Sequence, residues 1–219
     1  MPLYLIRHGE TDWNHEGRAQ GRRDMPLNEV GVAQAGALAK RFRDEPVAAI
    51  YSSPSRRALD TANSIAGLHP VKVETREDLL EMDLGELDGV KLGEMRDKFP
   101  DFFAHWMSDA GTARFPGGET LEETQARTWG TVMRFVQDHA PEEPVLLVSH
   151  AFATYSILCR ALGMPLSNYG RLRQDPAAVS ALTWRHRLGT DPGEGNFVLL
   201  ASNQTHHLDG VAEPTIPSS

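Results

Sequence analysis

Residues 3–14 read LYLIRHGETDWN, and this stretch decides the fold because it joins a short apolar run directly to an arginine and a histidine. Four apolar residues in succession predict a strand buried on both faces, as in a parallel sheet covered by helices. Ligands bind beyond the carboxyl ends of such strands. Arg7 and His8 are therefore predicted to lie at a ligand site.

Further apolar runs alternate along the chain with helical patterns. Strands are predicted at residues 47–51, 70–75 and 145–148, and two late strands at 178–184 and 196–202. Helices are predicted between them, because apolar residues recur there at a spacing of three and four. This alternation predicts an α/β fold with three layers (α/β/α) and a mostly parallel central sheet.

Helix-start signals place the boundaries of these helices. Asn28 is predicted to cap the first long helix. Ser53 and Pro54 are predicted to begin the second helix, which should run to about Ala66. Thr120 and Glu123 are predicted to form a capping box at the start of a third. Another helix should follow His150 and end at Gly163. The buried face of the first helix is predicted to consist of Val32, Ala35, Leu38, Ala39 and Phe42. The methionines Met82, Met95, Met107 and Met133 are expected to fill gaps in the core.

The composition bounds the classes of partner. A net charge of −8 argues against a nucleic-acid surface, which needs clustered cationic side chains. Cys159, the single cysteine, fits a buried core position and a cytoplasmic protein, and no apolar run approaches the ~18 residues of a membrane span. We expect one domain over residues 1–208 and a flexible C-terminal tail over 209–219, and a homodimer remains open.

Cationic and imidazole side chains follow three of the predicted strands. Arg7 and His8 follow the first, Arg56 and Arg57 come shortly after the second, and His150 follows the run VLLVS. Forked arginine donors suit the oxygen atoms of a phosphoryl group better than lysine does. In an acidic chain, this local cluster predicts a phosphate pocket.

A phosphate pocket that does chemistry needs a nucleophile and an acid. Neutral histidine can take a phosphoryl group, and nearby arginines should depress the pKa of His8 and keep its imidazole neutral. Cys159 is predicted to be buried in a helix. Glu10, Glu81 and Glu86 are candidates to protonate the leaving oxygen, and spacing does not choose among them.

Five segments, in order and spacing, resemble motifs of the histidine phosphatase superfamily, whose phosphoglycerate mutase branch shares the arginine-histidine-glycine signature. They are RHGETDWN (7–14), GRAQGRRDMPLNEVGVAQA (17–35), IYSSPSRRALDTA (50–62), LLEMDLGELDG (79–89) and VLLVSH (145–150). The resemblance implies that His8 forms a phosphohistidine and that Glu81 is the proton donor. It implies phosphoryl contacts from Arg7, Arg57 and His150, a further hydrogen bond from Asn14, and places for Gln20 and Gly21 on the substrate side of the pocket. Arg22 and Ala151 are also expected to contact the substrate, although both depart from the family pattern: Arg22 makes the second motif unusually basic, and Ala151 stands where the family usually has glycine.

The resemblance also bears on the choice between two reactions. Mutases of the family carry a longer basic insertion where this chain has the compact residues 90–117, so the pattern is similar to the phosphatase branch. We therefore expect a metal-independent phosphatase for small phosphorylated metabolites, without a cofactor, and keep a phosphoglycerate mutase as the alternative. Arg22, Arg23 and Arg114 form a hypothetical second anion site.

The sequence disfavours two other classes of function. A metal site built from His8, Glu10, Asp12 and His15 is disfavoured because neighbouring arginines would repel the cation. A non-catalytic module that binds a phosphorylated ligand is disfavoured because the nucleophile and the acid are both present. For the enzyme, the rate should be bell-shaped in pH, lost when His8 is protonated or Glu81 is ionised.

Overall fold

The computed structural model describes residues 1–186 and 195–211. Within these ranges one six-stranded sheet has the order β3-β2-β4-β1-β5-β6. Strands β1 to β4 run parallel, and β5 and β6 are antiparallel at one side. The strands are β1 (Pro2–Arg7), β2 (Ala49–Ser52), β3 (Val73–Thr75), β4 (Val145–Ser149), β5 (Val179–His186) and β6 (Gly195–Gln204).

Helices cover both faces of the sheet. The helices are α1 (Asp12–His15), α2 (Glu29–Phe42), α3 (Arg56–Ala66), α4 (Met95–Lys98), α5 (Pro100–Ser108), α6 (Leu121–Asp138) and α7 (Ala151–Ala161). Along β1, Leu3 and Leu5 face the core under α6 and α7, whereas Ile6 faces the core under α2 and α3. The predicted three-layer α/β/α arrangement is confirmed.

The register of the parallel strands aligns their carboxyl ends. Leu3 lies opposite Val145 and Arg7 opposite Ser149, so β1 and β4 end together. The next strand ends at the same edge, because the backbone N–H of Ser53 donates to the carbonyl of Val148 at 3.0 Å. The residues that follow β1, β2 and β4 are thereby held side by side.

A third apolar cluster lies apart from the two sheet-facing cores. Its buried members are Ala19, Met82, Leu84, Leu87, Phe115 and Leu121, and side chains of α5 and α7 pack against them. Short 3₁₀ turns, Gly85–Leu87 and Leu92–Glu94, connect this region. These segments follow β3 in the chain and surround the cleft at the carboxyl end of the sheet.

The predicted helix caps at Asn28 and Thr120 are confirmed, whereas the predicted start of the second helix is wrong by two to three residues. Asn28 accepts from the N–H of Gly31, and Thr120 with Glu123 forms the expected capping box. The helix expected at Ser53 and Pro54 begins at Arg56, because the serine backbone continues the strand pairing.

Two expected core positions are wrong. Val32 is 61% exposed, because the buried face of α2 is centred on Ala35, Leu38 and Phe42. Met107 is 69% exposed at the end of α5. Cys159 is buried, as predicted.

In the described ranges, none of the helices has the length and apolar character that a membrane crossing requires. Apart from residues 209–211, the predicted flexible tail lies outside the described residues.

Candidate active site

The two histidines of the first and last motifs are neighbours. The backbone N–H of His8 donates to the carbonyl of Ser149 at 3.0 Å, which continues the pairing of β1 with β4 by one residue. The imidazole rings of His8 and His150 meet edge to face with centroids 5.1 Å apart. Both side chains are buried. The strand register therefore brings together residues that are far apart in the sequence.

The hydrogen bonds of His8 assign its tautomer. Nδ1 lies 2.7 Å from the carbonyl oxygen of Gly9, an atom that only accepts, so the ring proton is on Nδ1. Nε2 then carries the lone pair, and Nε of Arg57 donates to it at 3.2 Å. Burial, with the charges of Arg57 and Arg7, lowers the pKa of His8 well below its ordinary value. The ring is neutral near pH 7, with an unprotonated Nε2.

Gly9 is required by close backbone packing. A Cβ at this position would lie 2.6 Å from the carbonyl oxygen of Gly31, closer than real Cβ contacts. The N–H of Gly9 also donates to the hydroxyl of Thr61 at 3.1 Å. The glycine after the histidine thus allows the loop to press against α2 while its carbonyl orients the imidazole.

Arg57 is held by the loop of the second motif. Its guanidinium donates to the carbonyl of Gly21 at 2.7 Å and to that of Arg23 at 2.9 Å. Burial lowers the pKa of Arg57 to about 10, which leaves it charged at neutral pH. Arg57 is fully buried, whereas the side chain of Arg56 is 63% exposed and pairs with Asp60, so the two adjacent arginines differ completely in environment.

Arg7 and His150 keep donor capacity at the site. One terminal nitrogen of Arg7 donates to the carbonyl of Gln174 at 2.8 Å, and Nε2 of His150 hydrogen-bonds the hydroxyl of Ser53 at 2.8 Å. Arg7 Nε and His150 Nδ1 are buried and have no hydrogen-bond partner among the described residues. Leaving such groups unpaired costs about 1–3 kcal/mol each. An anion's oxygens would satisfy Arg7 Nε, and they would satisfy His150 Nδ1 in the tautomer that carries the ring proton there.

Glu81 is the buried carboxyl group of the site. Its oxygens accept backbone N–H bonds from Met82 at 2.9 Å and from Phe152 and Ala153 at 3.2 Å each. Burial raises the pKa of Glu81 above its ordinary value, although these N–H groups and the charge of Arg57 oppose the rise. The amino end of α7 therefore binds this carboxyl group.

The other two candidate acids differ from Glu81 in placement. Glu86 is exposed and does not line the cleft within the described residues. Glu10 is buried and lines the cleft, and its Oε1 accepts from the side-chain amide of Asn28 at 2.9 Å.

Arg127 on α6 fastens the segment that carries Glu81, and the sequence analysis missed it. Its guanidinium donates to the carbonyl oxygens of Asp78, Leu80 and Glu81 at 2.8, 2.7 and 3.1 Å. It also pairs with Glu119 at 3.0 Å, and Glu119 in turn accepts from the N–H of Asp83 at 2.9 Å. The acidic run GETLEETQAR contained both residues, but spacing did not indicate that they meet residues 78–83.

The expected substrate residues fall into two groups. Asn14, Gln20 and Ala151 line the cleft, and Gln20 Nε2 is buried there without a partner among the described residues. Gly21 and Arg22 are not brought to the cleft wall: Gly21 accepts from Arg57, and Arg22 pairs with Glu119 at 3.0 Å.

The hypothetical second anion site is not assembled as expected. Arg114 pairs with Glu123, and the guanidinium of Arg23 lies over the ring of Trp13, 5.7 Å from its centroid. Neither residue is among the described side chains that line the cleft.

The cleft has a volume of about 360 Å³ and two different ends. Arg7, His8 and Glu81 form the polar end, and six aromatic side chains together with aliphatic and small residues contribute the apolar part of the wall. A mostly apolar pocket with a few convergent polar groups is the usual form of a small-molecule site.

A metal centre finds no donor set in the part of the chain that the structure describes. No three histidine, cysteine or carboxylate side chains of residues 1–186 and 195–211 are grouped so as to hold a metal ion. The metal site considered from the sequence, His8, Glu10, Asp12 and His15, needs the carboxylate of Glu10, and that carboxylate accepts from the side-chain amide of Asn28.

Comparison with known proteins agrees with this geometry. The model of the histidine phosphatase superfamily (branch 1) matches residues 3–190, and the chain belongs to that family. Among curated relatives, phosphoserine phosphatase 1 of Hydrogenobacter thermophilus is 32% identical, with 95% of this chain and 94% of the relative covered. A probable phosphoglycerate mutase of Yersinia pestis is 31% identical, with 95% of each chain covered.

A solved structure extends the comparison to three dimensions. The mycobacterial glucosyl-3-phosphoglycerate phosphatase superposes with a TM-score of 0.83 at 29% identity, covering 93% of this chain and 99% of that one. The predicted family is confirmed, and with relatives named as phosphatases so is the prediction of a phosphomonoesterase-type hydrolase.

Proposed function

We propose that the protein hydrolyses small phosphate monoesters in two steps, with the phosphoryl group carried on Nε2 of His8 between them. The observation that carries this proposal is the hydrogen bond from His8 Nδ1 to the Gly9 carbonyl, 2.7 Å long. It keeps the proton on Nδ1 and leaves the Nε2 lone pair for attack on phosphorus. A neutral ring is the form that can attack.

In the first step a bond forms between His8 Nε2 and phosphorus, and the bond from phosphorus to the ester oxygen breaks. Glu81 gives its proton to the leaving oxygen, so the alcohol departs neutral. The raised pKa of Glu81 favours the protonated form that this step needs. Arg7, Arg57 and His150 hold the phosphoryl oxygens, and the N–H of Arg57 moves from Nε2 to an oxygen as phosphorus approaches.

In the second step water attacks the phosphohistidine. Glu81, now ionised, takes a proton from the water, the bond from phosphorus to Nε2 breaks, and phosphate leaves with His8 neutral again. Proton and charge balance over the cycle without a metal ion or an organic cofactor. We propose that the protein acts in the cytoplasm, because a chain with a single cysteine forms no internal disulfide and fits a reducing compartment. We propose a small phosphorylated metabolite as its substrate.

The test is a rapid-mixing experiment with a metal chelator present, using p-nitrophenyl phosphate, followed by mass analysis of the His8 peptide under alkaline conditions that preserve phosphohistidine. The wild-type protein should release phosphate and show a phosphorylated His8 peptide. The His8→Ala variant should lose at least about 10³-fold in kcat. Turnover without a phosphorylated peptide, or turnover retained by the variant, would refute the intermediate.

A phosphoglycerate mutase remains the second candidate because a 31% identical relative is named as one. The same intermediate would then return its phosphoryl group to an alcohol. Incubation with 3-phosphoglycerate and a bisphosphate primer distinguishes the two, since a phosphatase releases inorganic phosphate and a mutase produces the isomer.

A further inference from the structure

Part of the cleft wall is built from aromatic rings that come from four segments. Helix α5 supplies three of them, the segment after α5 one, the start of α7 one and the 3₁₀ turn Leu166–Arg171 one. These rings are Phe102, Phe103, Trp106, Phe115, Phe152 and Tyr169. We call this set the aromatic wall.

The aromatic wall is a fixed surface, because Phe102, Trp106, Phe115, Phe152 and Tyr169 contact one another ring to ring. The ring centroid of Trp106 lies 5.1 Å from that of Phe115, 5.7 Å from Phe152 and 5.5 Å from Tyr169. The indole N–H of Trp106 donates to the hydroxyl of Tyr169 at 3.0 Å, so its polar atom is satisfied within the wall. Ring pairs at these separations prefer tilted or edge-to-face geometry, as here. The wall is pre-formed for an apolar group.

Aliphatic side chains extend the same surface toward solvent. Leu92 lines the cleft and is nevertheless 52% exposed, and Leu84 and Met95 line it beside Leu92. Exposed apolar surface of this kind, next to a polar site, is a common mark of ligand binding.

The charges in the cleft do not favour an anionic leaving group. Among the described residues that line it, the cations are Arg7 and Arg18, and the carboxyl groups are Glu10, Glu81 and Asp175. Arg7 belongs to the reacting end. Arg18 pairs with Glu16 and donates to the carbonyl of Gly89 at 3.0 Å. Asp175 pairs with Arg173 at 2.9 Å, and Glu81 is protonated before the reaction in the proposed mechanism, so neither adds a free negative charge. A carboxylate or second phosphate on the leaving alcohol would still find, outside the reacting end, no cation among the described lining residues except Arg18, which is already paired.

From this wall and this charge balance we infer that the substrates are phosphate monoesters of apolar, ring-sized alcohols. The inference rests on the proposed function and names the substrate class of the same site. It separates this chain from relatives and neighbours named for phosphoserine and glucosyl-3-phosphoglycerate, whose substrates carry carboxylates. The alcohol lies along the aromatic wall while the phosphoryl group faces His8.

The test compares three primary alkyl phosphates that differ little at the leaving oxygen: propyl phosphate, 3-phenylpropyl phosphate and phosphoserine. Burying the added phenyl group should raise kcat/KM for 3-phenylpropyl over propyl phosphate by about 10- to 100-fold. Phosphoserine should be hydrolysed less efficiently than propyl phosphate. A phenylpropyl to propyl ratio near one, or a preference for phosphoserine, would overturn the inference while leaving the phosphatase proposal intact.

A matched pair of variants on α5 locates the effect. Phe103 lines the cleft, and Met107, one turn further along the same helix, is 69% exposed and lies outside the lining residues. Phe103→Ala should lower the phenylpropyl to propyl ratio by about 3- to 10-fold, because the longer ester loses more apolar contact than propyl phosphate does. Met107→Ala should preserve the ratio, and equal ratios in the two variants would contradict the aromatic wall as the binding surface.

A binding measurement separates failure of the inference from failure of the proposed function. The phosphonates of the propyl and 3-phenylpropyl groups cannot be hydrolysed at a bridging oxygen, and calorimetry measures their affinities directly. If no ester is hydrolysed, tighter binding of the phenylpropyl phosphonate by about tenfold or more still supports the aromatic wall. Equal affinities would overturn it whatever the activity.

Discussion

The reacting end of the cleft and the aromatic wall differ in what holds them. At the reacting end, His8, Arg57 and Glu81 are fixed by hydrogen bonds to backbone atoms of neighbouring loops. In the aromatic wall, Trp106 has one side-chain hydrogen bond and is otherwise held by ring contacts. Hydrogen bonds specify direction, whereas apolar contacts specify mainly volume and shape.

This difference separates chemistry from preference. A change at the reacting end should reduce the hydrolysis of every ester by a similar factor, because all esters share the phosphoryl group. A change in the wall should alter only the ratio between esters. The following predictions are ordered from the largest expected effect to the smallest.

Glu81→Gln should give the largest selective loss. An amide cannot protonate the leaving oxygen, so kcat for propyl phosphate should fall by about 10²- to 10⁴-fold. The loss should be much smaller for p-nitrophenyl phosphate, whose nitrophenolate leaves without a proton. Steady-state kinetics with both esters measures this, and equal losses would remove Glu81 as the proton donor.

The pH profile gives a second reading of Glu81. The rate requires its protonated form, and its pKa is raised above the ordinary 4.5, so the wild-type rate should fall as pH rises through that raised value. The opposite limb comes from protonation of His8, whose pKa is lowered below 6.5. The Glu81→Gln variant should lose the alkaline limb and keep the acid limb, and a flat wild-type profile would contradict both assignments.

Arg57→Ala and Arg56→Ala form a matched pair of adjacent arginines. Loss of the buried Arg57 donor should reduce kcat/KM by about 10²- to 10³-fold, equally for propyl and 3-phenylpropyl phosphate, since both lose the same phosphoryl contact. Arg56→Ala should change the rate less than about threefold, because its side chain is 63% exposed. Steady-state kinetics on both variants measures this, after melting curves have shown that they are folded. An unequal loss between the two esters would contradict the claim that the reacting end affects all esters equally.

Arg127→Met tests a positioning residue. Without the bonds to the carbonyls of Asp78, Leu80 and Glu81, the segment that carries Glu81 should shift, and kcat should fall by about 10- to 100-fold with KM changed little. Arg134→Met on the same helix is the control, because Arg134 is 57% exposed and contacts the side chains of Asp78 and Thr131, not the carbonyl oxygens that Arg127 holds. A rise in KM at unchanged kcat would mean that Arg127 supports binding instead.

His207→Gln should leave catalysis unchanged and alter the pH dependence of stability. Burial, with the charge of Arg41, lowers the pKa of His207 to about 4 in the folded protein, against about 6.5 when unfolded. As pH falls below 6.5 the unfolded chain takes up a proton that the folded chain does not, so stability falls. After a discount for partial exposure, this residue should contribute about 1 kcal/mol of the loss between pH 7.5 and 5.5.

Urea unfolding at the two pH values measures this effect. The His207→Gln variant should lose about 1 kcal/mol less than the wild type over the interval. His206→Gln removes an exposed imidazole from the same turn and serves as the control. The same pH dependence in the His207 variant and the wild type would contradict the linkage.

Predictions from the sequence were correct where a local pattern is compatible with only one kind of structure. The apolar run before Arg7 and the run VLLVS before His150 can be buried on both faces only inside a covered sheet, and both are. They were wrong where the same spacing fits either the buried or the exposed side of a helix. Val32 has helical spacing toward the buried face, yet α2 is rotated so that Val32 faces solvent.

The candidate site shows the same division. The resemblance of the motifs indicated which residues would gather, and strand register brings His8 next to His150. The contact between Arg127 and the segment before Met82 joins residues about 46 to 49 positions apart and follows no short motif. The loop GRRD was expected to offer cations to the substrate, but its carbonyl oxygens hold Arg57.

The sequence by itself determined the three-layer fold, the family and the set of residues at the carboxyl edge of the sheet, because strand periodicity and contiguous motifs are local properties of the chain. Tertiary structure alone decided that Glu81 sits buried at the start of α7, that Arg22 faces Glu119, and that rings from four segments meet in one wall. Those outcomes depend on which side chains meet in three dimensions. Side chains from distant segments compete for the same space and the same hydrogen-bond partners, and this competition is resolved only when the whole chain is packed.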